Sequence, residues 1–412
     1  MGVSLEELER AWPEGGLFEG KRWVFSPEPL RLEAGLMREL ERMGPVLAAF
    51  QAAQDRIYRR SAKGKVAPWV AEALDAGKPE WMVAWQREGA QAEVVPRVIR
   101  PDLLLTEEGF LITELDSVPG GMGVTGWLGE VYGDEVVGGR GGMVAGLAGI
   151  LPEGGAIWVS EEAGDYRPEM QWLAGKLGVE VKWGEEWAGE AGYRFFELFD
   201  WEAIASLREG EKGGLTPPVK PLFEEKMWLG LLWSPGLRKV WEQELRGKQY
   251  ELLKKWIPRG IPVDATPLPA NAELAGLGVN SWEEVGRMSQ KERRLVLKIS
   301  GFSELAWGSR GVFIGHDESG EQWGELVGAA VEQWGSQPWV MQEFREAKLV
   351  EHPYFDEAGE VQLMKGRARL CPYYFVGDRE VKLGGCLATI VPADKKKIHG
   401  MEDAILVPVA GE

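Results

Sequence analysis

The stretch Val98-Ile-Arg-Pro-Asp-Leu-Leu-Leu-Thr-Glu-Glu-Gly-Phe-Leu-Ile-Thr-Glu-Leu-Asp116 constrains this chain more than any other. Leu103 to Leu105 and Phe110 to Ile112 read as two strands, and Glu107-Glu108-Gly109 reads as the tight turn of a hairpin folded between positions 106 and 109. Side chains alternate along a strand. Arg100 and Asp102 therefore share one face of the first strand, Glu114 and Asp116 share one face of the second, and the hairpin brings both pairs to its open end. Three carboxylates side by side repel one another unless a cation lies among them, and Mg²⁺ with oxygen ligands, flanked by an arginine, meets that need. A solvent-facing edge hairpin whose acids serve only solubility is the other reading of the same pattern.

At 412 residues the chain is too long for one ordinary core and implies two or three domains. Its net charge of −18 argues against a nucleic-acid backbone or an anionic membrane as the main partner, because both require basic patches. Cys371 and Cys386 have no neighbouring His or Cys to complete a zinc set, so they read as reduced core residues. The start Met1-Gly-Val-Ser-Leu-Glu has neither a basic nor an apolar leader segment, and no apolar run approaches twenty residues. A cytoplasmic location is the expectation.

Along the chain, residues 1–95 read as a helical scaffold, with helical spacing from Leu30 to Met43. Residues 96–150 hold the acidic hairpin and two glycine-dense stretches. Residues 151–212 alternate strand, helix and strand, from Ala156-Ile-Trp-Val-Ser160 through the helix near Pro168–Leu177 to Val179–Trp183 and Tyr193–Phe199, and read as a βαβ-type unit. No glycine fingerprint follows these strands, so a dinucleotide site is not expected. Residues 213–412 begin with an amphipathic helical block at Glu225–Trp233 that carries Lys226. They continue through the strands Arg293–Ser300, Val312–Ile314 and Pro338–Phe344 to short strands at 361–363, 369–376 and 381–387. His316, His352 and His399 are scattered and read as surface or capping residues.

Lys298 lies in a strand followed by the glycine-bearing loop Gly301 to Gly311 and then another strand. Backbone N–H groups of such a loop line a triphosphate well, and a solvated lysine facing the cleft supplies a point charge. The segment lacks the P-loop pattern and does not lead into a helix, so a nucleotide here would lie between sheets. A plain hairpin with a surface lysine fits the segment equally well when it is taken alone.

The order of these parts resembles the circularly permuted ATP-grasp proteins, and within them the synthetase domain of glutathionylspermidine synthase. Arg100-Pro-Asp102 followed by Glu114-Leu-Asp116 is similar to that family's R-x-D and E-x-N, with Asp116 in place of the Asn. Glu225-Lys226 through Trp233, Leu297-Lys298 through Gly311-Val312, Met341-Gln342-Glu343 and Gly384-Gly385 resemble further family segments in the same order. Ala388 stands where the family usually has an arginine, and a long insert near 257–290 separates the two lysines.

The resemblance implies an α/β (α+β) fold, a circularly permuted ATP-grasp with an N-terminal helical region and an inserted βαβ-type unit. It implies ATP and Mg²⁺ as cofactors, with Asp102, Glu114 and Asp116 as metal ligands. Lys226, Lys298, Gly308, Ser309, Arg310, Gly311, Gln342 and Glu343 would hold the nucleotide, and Arg100 would be the catalytic residue that stabilises an acyl phosphate. The implied reaction joins a small-molecule carboxylate to an amine or peptide, with no nucleic-acid or membrane partner, and it leaves the oligomeric state open. A phosphotransferase on the same site, or a non-catalytic nucleotide- or partner-binding protein of the same fold, stays open as a reading.

Overall fold

The protein is described from a computed structural model covering residues 2–13, 17–18, 22–209, 214–266, 268–269, 272–274, 276–306, 310–395, 398 and 403–412. Its strands, in chain order, begin with β1 (Leu30–Leu32), β2 (Val98–Thr106), β3 (Gly109–Asp116), β4 (Ala156–Val159), β5 (Val181–Trp183), β6 (Gly192–Phe195) and β7 (Leu215–Thr216). They continue with β8 (Gly260–Val263), β9 (Leu295–Ile299), β10 (Val312–Ile314) and β11 (Trp339–Glu343). The last four are β12 (Leu349–Phe355), β13 (Val361–Val376), β14 (Val381–Pro392) and β15 (Ile405–Gly411).

Three sheets result. The largest runs β1-β15-β14-β13-β2-β3, with β12 also paired to β13. The long β13 is what joins these pieces, because its first half takes β12 as partner and its second half takes β2 on the same edge. Residues 361–363 and 369–376, two strands by sequence, are thus one strand of 16 residues. Leu30 to Leu32 is also a strand, where helical spacing was expected. The alternation Leu-Arg-Leu has period two, and β1 buries both leucines while pairing parallel to β15.

The helix Ala34–Ala62 covers this sheet. Leu40, Met43, Leu47, Phe50 and Ile57 recur at helical spacing and are fully buried, each contributing roughly 2 kcal/mol of apolar burial. It packs tightly at Gly44, where an added Cβ would stand 2.5 Å from the Tyr374 ring.

The second sheet, β10-β9-β11-β8, is antiparallel, and its core is formed by Leu297, Val327, Trp323 and Met341. The third, β5-β4-β6-β7, is wholly parallel, as the βαβ reading required, and the helix Arg167–Leu177 provides the crossover from β4 to β5. Among the described residues no helix is long and apolar enough to cross a membrane.

Candidate functional site

The acidic hairpin forms as expected, folding back with Thr106 opposite Gly109. Arg100 lies directly opposite Asp116 and Asp102 opposite Glu114, so all four share one face at the open end. Between Asp102 and Leu103 the register slips, leaving Thr113 as an extra residue in β3. Such a bulge leaves a backbone group without a ladder partner, and here the Thr113 hydroxyl ties the bulge down by donating to the Asp102 carbonyl at 3.1 Å.

Protein cations neutralise the carboxylates. Arg100 Nη2 stands 3.0 Å from Asp102 Oδ1 and 2.9 Å from Asp116 Oδ2, and its Nη1 donates to the Gly120 carbonyl. Lys226 Nζ lies 2.7 Å from Glu114. From the neighbouring β13, Arg369 Nη1 lies 3.1 Å from Asp102 Oδ2 and the Cys371 thiol donates to Asp102 Oδ1 at 3.4 Å. Burial, reinforced by Asp102, pushes the Cys371 thiol up to about 12, so it stays protonated as a donor. With these cations interposed, no three His, Cys, Asp or Glu side chains among the described residues stand together as a ready metal cage.

Lys226 and Lys298 arrive from different elements. Lys226 precedes the short helix Met227–Leu231, and its backbone N–H donates 2.7 Å to the carbonyl of Ser300, the residue after β9. The Ser300 hydroxyl in turn donates to Glu225, whose other oxygen forms a buried ion pair with Lys78 at 2.6 Å. Burial acts against the charge on Lys226, but Glu114, with Glu197 and Asp116, outweighs it and lifts the ammonium above its usual range. Lys298 differs. It is buried and not solvated as expected, donating to the Thr113 carbonyl at 2.7 Å and to Gln342 Oε1 at 2.9 Å. Burial pulls its ammonium down to about 8, with Glu114 opposing and Lys226 adding to the shift.

A cleft of about 440 Å³ opens where the three sheets meet. Glu114, Asp116 and Lys226 line it from one side, Gly301, Phe302, Ser303 and Ala306 from the loop after β9, and Glu197 and Glu224 from beyond β6. Phe302 holds a φ of 48°, a conformation that costs a non-glycine residue about 1 kcal/mol or more. Glu197 also lines an adjoining cavity of about 320 Å³ with Gly120, Tyr166, Phe195 and Asp200. Burial, with Glu224 and Asp116 nearby, raises the Glu197 carboxyl well above the usual carboxylate range.

This second cavity opens at the carboxyl ends of β4 and β6, where open parallel sheets place their ligands. Gly120 and Gly121 separate it from the hairpin. A Cβ on Gly120 would fall 2.3 Å from the Tyr166 ring, and Gly121 has φ of +81°, so neither position accepts another residue without strain.

Gln342 and Glu343 end β11 as expected. Gln342 is buried against Lys298, while Glu343 borders a separate open cleft of about 970 Å³ with the hairpin turn Glu107-Glu108 and Phe344. Arg310 is exposed and Gly311 buried at the start of β10, and neither borders the cleft that holds Lys226. Gly308 and Ser309 lie outside the described residues, as do Trp307, Lys396, Lys397 and His399. His352, read as a surface or capping residue, is buried against Ser26 Oγ at 3.0 Å.

Sequence reasoning missed Arg369, Cys371 and Tyr373, which β13 sets on the same face as Asp102 and Arg100. The alternation Arg-Leu-Cys-Pro-Tyr gave the signal. It marks one polar face of a strand, but nothing in it names the strand that lies alongside.

No protein-family model matches the chain, and no curated protein matches it. Among solved structures, a glutathione synthetase-like effector from Globodera pallida superposes with a TM-score of 0.52 at 12% identity, over 94% of this chain and 90% of that one. A candidate gamma-glutamylcysteine synthetase from Methylobacillus flagellatus KT covers 86% of this chain and 85% of its own at 12% identity, but its TM-score of 0.38 carries no structural argument. The shared property is the fold: a mixed α/β chain of several sheets, similar to the glutathione synthetase-like effector along nearly its whole length.

Proposed function

We propose that this protein is an ATP-dependent carboxylate–amine ligase that uses Mg²⁺, with a circularly permuted ATP-grasp arrangement divided near residues 95, 150 and 212. The observation that carries this reading is the convergence of Lys226 and the acidic hairpin end on one cleft between sheets, with Lys298 buried against the Thr113 carbonyl of the same hairpin. Likeness to a glutathione synthetase-like fold supports it.

The donor set suits Mg²⁺. This cation commonly takes one or two carboxylates and completes its shell with phosphate oxygens and water, so a closed protein cage is not required. Glu114 and Asp116, with side chains 35% and 18% exposed, face the cleft and would be the first ligands. Asp102 is 9% exposed and would join them by turning from the arginines. Bound there, the ion would neutralise charge on the β- and γ-phosphates.

Lys226 and Lys298 would hold the α- and β-phosphates, and the loop through Gly308, Ser309, Arg310 and Gly311 would close over the γ-phosphate. The backbone of β11 at Gln342 and Glu343 would read the adenine edge. The substrate carboxylate oxygen attacks the γ-phosphorus, the bond to ADP breaks, and an acyl phosphate forms. An amine nitrogen then bonds to the carbonyl carbon, phosphate leaves with the C–O electron pair, and the nitrogen loses a proton. Arg100, whose charge is fixed, would orient the carboxylate and stabilise the oxygen charge that grows in both steps.

The test is ADP release by purified protein against pooled carboxylic acids and amines, with mass detection of the condensed product. Release that requires both an acid and an amine supports the ligase. Release with an acceptor but no amine would identify a phosphotransferase, and release under no combination would reject both.

A further inference from the structure

Arg100 and Arg369 reach the same carboxylate from adjacent strands. Each takes one oxygen of Asp102, Arg100 at 3.0 Å and Arg369 at 3.1 Å, so the carboxylate bridges two guanidinium groups. Their donors exceed the acceptors they meet. Among the described residues the Nε atoms of both arginines are buried with no hydrogen bond, an uncommon and costly condition for a cation. Arg100 also lies beside both cavities, because it binds Asp116 on the wall of one and the Gly120 carbonyl on the wall of the other.

We propose that Arg369 and Arg100 form an oxyanion subsite, held in the ligand-free protein by the Asp102 carboxylate, that receives carboxylate or phosphoryl oxygens of a substrate. Two planar forks converging on one bridging carboxylate have the geometry that recognises such a group, and a bound oxyanion would take the place of an internal carboxylate of like charge. Assigning the oxyanion to the reacting carboxyl or its phosphorylated form rests on the ligase reading; the subsite itself does not. Arg369 would then be a second substrate-contacting residue beside Arg100.

The test uses the full chain with Mg-ADP present, titrated calorimetrically with sodium phosphate and, separately, with sodium acetate. Arg369→Gln is expected to weaken oxyanion binding tenfold or more while Mg-ADP affinity stays within twofold, and Arg369→Lys to lose less. Asp102→Asn, titrated beside the unmodified protein without Mg-ADP so that the role of Asp102 as a metal ligand does not enter, removes the internal competitor and is expected to bind the oxyanion more tightly. Binding of phosphate alone marks a phosphoryl position and binding of acetate as well marks a carboxylate position, both supporting the subsite. Equal affinity in Arg369→Gln and the unmodified protein overturns the proposal, as does binding of neither anion even by Asp102→Asn. Failure of Mg-ADP to bind would instead count against the ligase reading, leaving the anion titrations to be judged alone.

Discussion

Lys298 crosses from β9 to donate to the backbone carbonyl of Thr113, the extra residue in the β2–β3 hairpin, at 2.7 Å. A bulge exposes a carbonyl that regular pairing would have consumed, and here that carbonyl orients a buried ammonium toward the acidic end of another sheet. The hairpin and the β10-β9-β11-β8 sheet are thereby tied at the point where the proposed phosphate chemistry would occur.

Lys298→Met keeps the aliphatic stem and removes the charge. Mg-ATP affinity is expected to fall tenfold or more by calorimetry, as for loss of a charge-assisted contact. The ammonium of the unmodified protein titrates at about 8, so its nucleotide affinity should decline as pH rises through that value, and that of Lys298→Met should not. The stability sign is opposite. An unfolded lysine titrates near 10.4, so between about 8 and about 10.4 the unfolded chain binds more protons and this group makes stability rise with pH. Unchanged affinity in the variant would move the phosphate site elsewhere.

Mg-ATP should raise the melting temperature by mass action, and ATP with a chelator should raise it far less. Equal shifts with and without Mg²⁺ would assign Asp102, Glu114 and Asp116 to a purely structural network with Arg100, Arg369 and Lys226.

Arg100→Ala leaves Asp102 and Asp116 facing each other with one cation fewer. Breaking a largely buried pair by removing one partner costs about 3 kcal/mol or more, so thermal or denaturant unfolding should show a drop of that order. Because the freed carboxylates can turn to a metal, added Mg²⁺ should restore more stability to this variant than it adds to the unmodified protein. Destabilisation without that differential recovery would indicate that the acids do not bind the ion.

His352 makes the protein acid-sensitive. Burial holds its imidazolium down at about 4, partly opposed by the Glu28 carbonyl, against about 6.5 in an unfolded chain. The unfolded state therefore binds more protons between about 4 and about 6.5, and stability falls as pH drops through that window, by ~3 kcal/mol for this residue. Denaturant titrations of His352→Gln across that range should show a flatter pH dependence than those of the unmodified protein.

What the sequence determined by itself was local. Leu103 to Leu105, Phe110 to Ile112 and the turn between them specify the hairpin through short-range pairing, and a period of two puts Arg100 with Asp102 and Glu114 with Asp116, whereas the bulge at Thr113 sets the two pairs on a common face. The parallel β4–β6 unit was legible for the same reason, since strand and helix periods alternate along one continuous segment. Only the tertiary structure decided which cations meet these acids. Arg369 lies 267 positions from Asp102, and Lys226 meets Glu114 from the start of a helix fixed by the Ser300 carbonyl. Those pairings depend on β13 docking beside β2 and on the second sheet packing against the hairpin, and long-range register leaves no trace in local periodicity. The burial of Lys298 has the same origin, because a lysine in an apolar strand reads alike whether its tip meets water or the carbonyl of a bulge in another sheet.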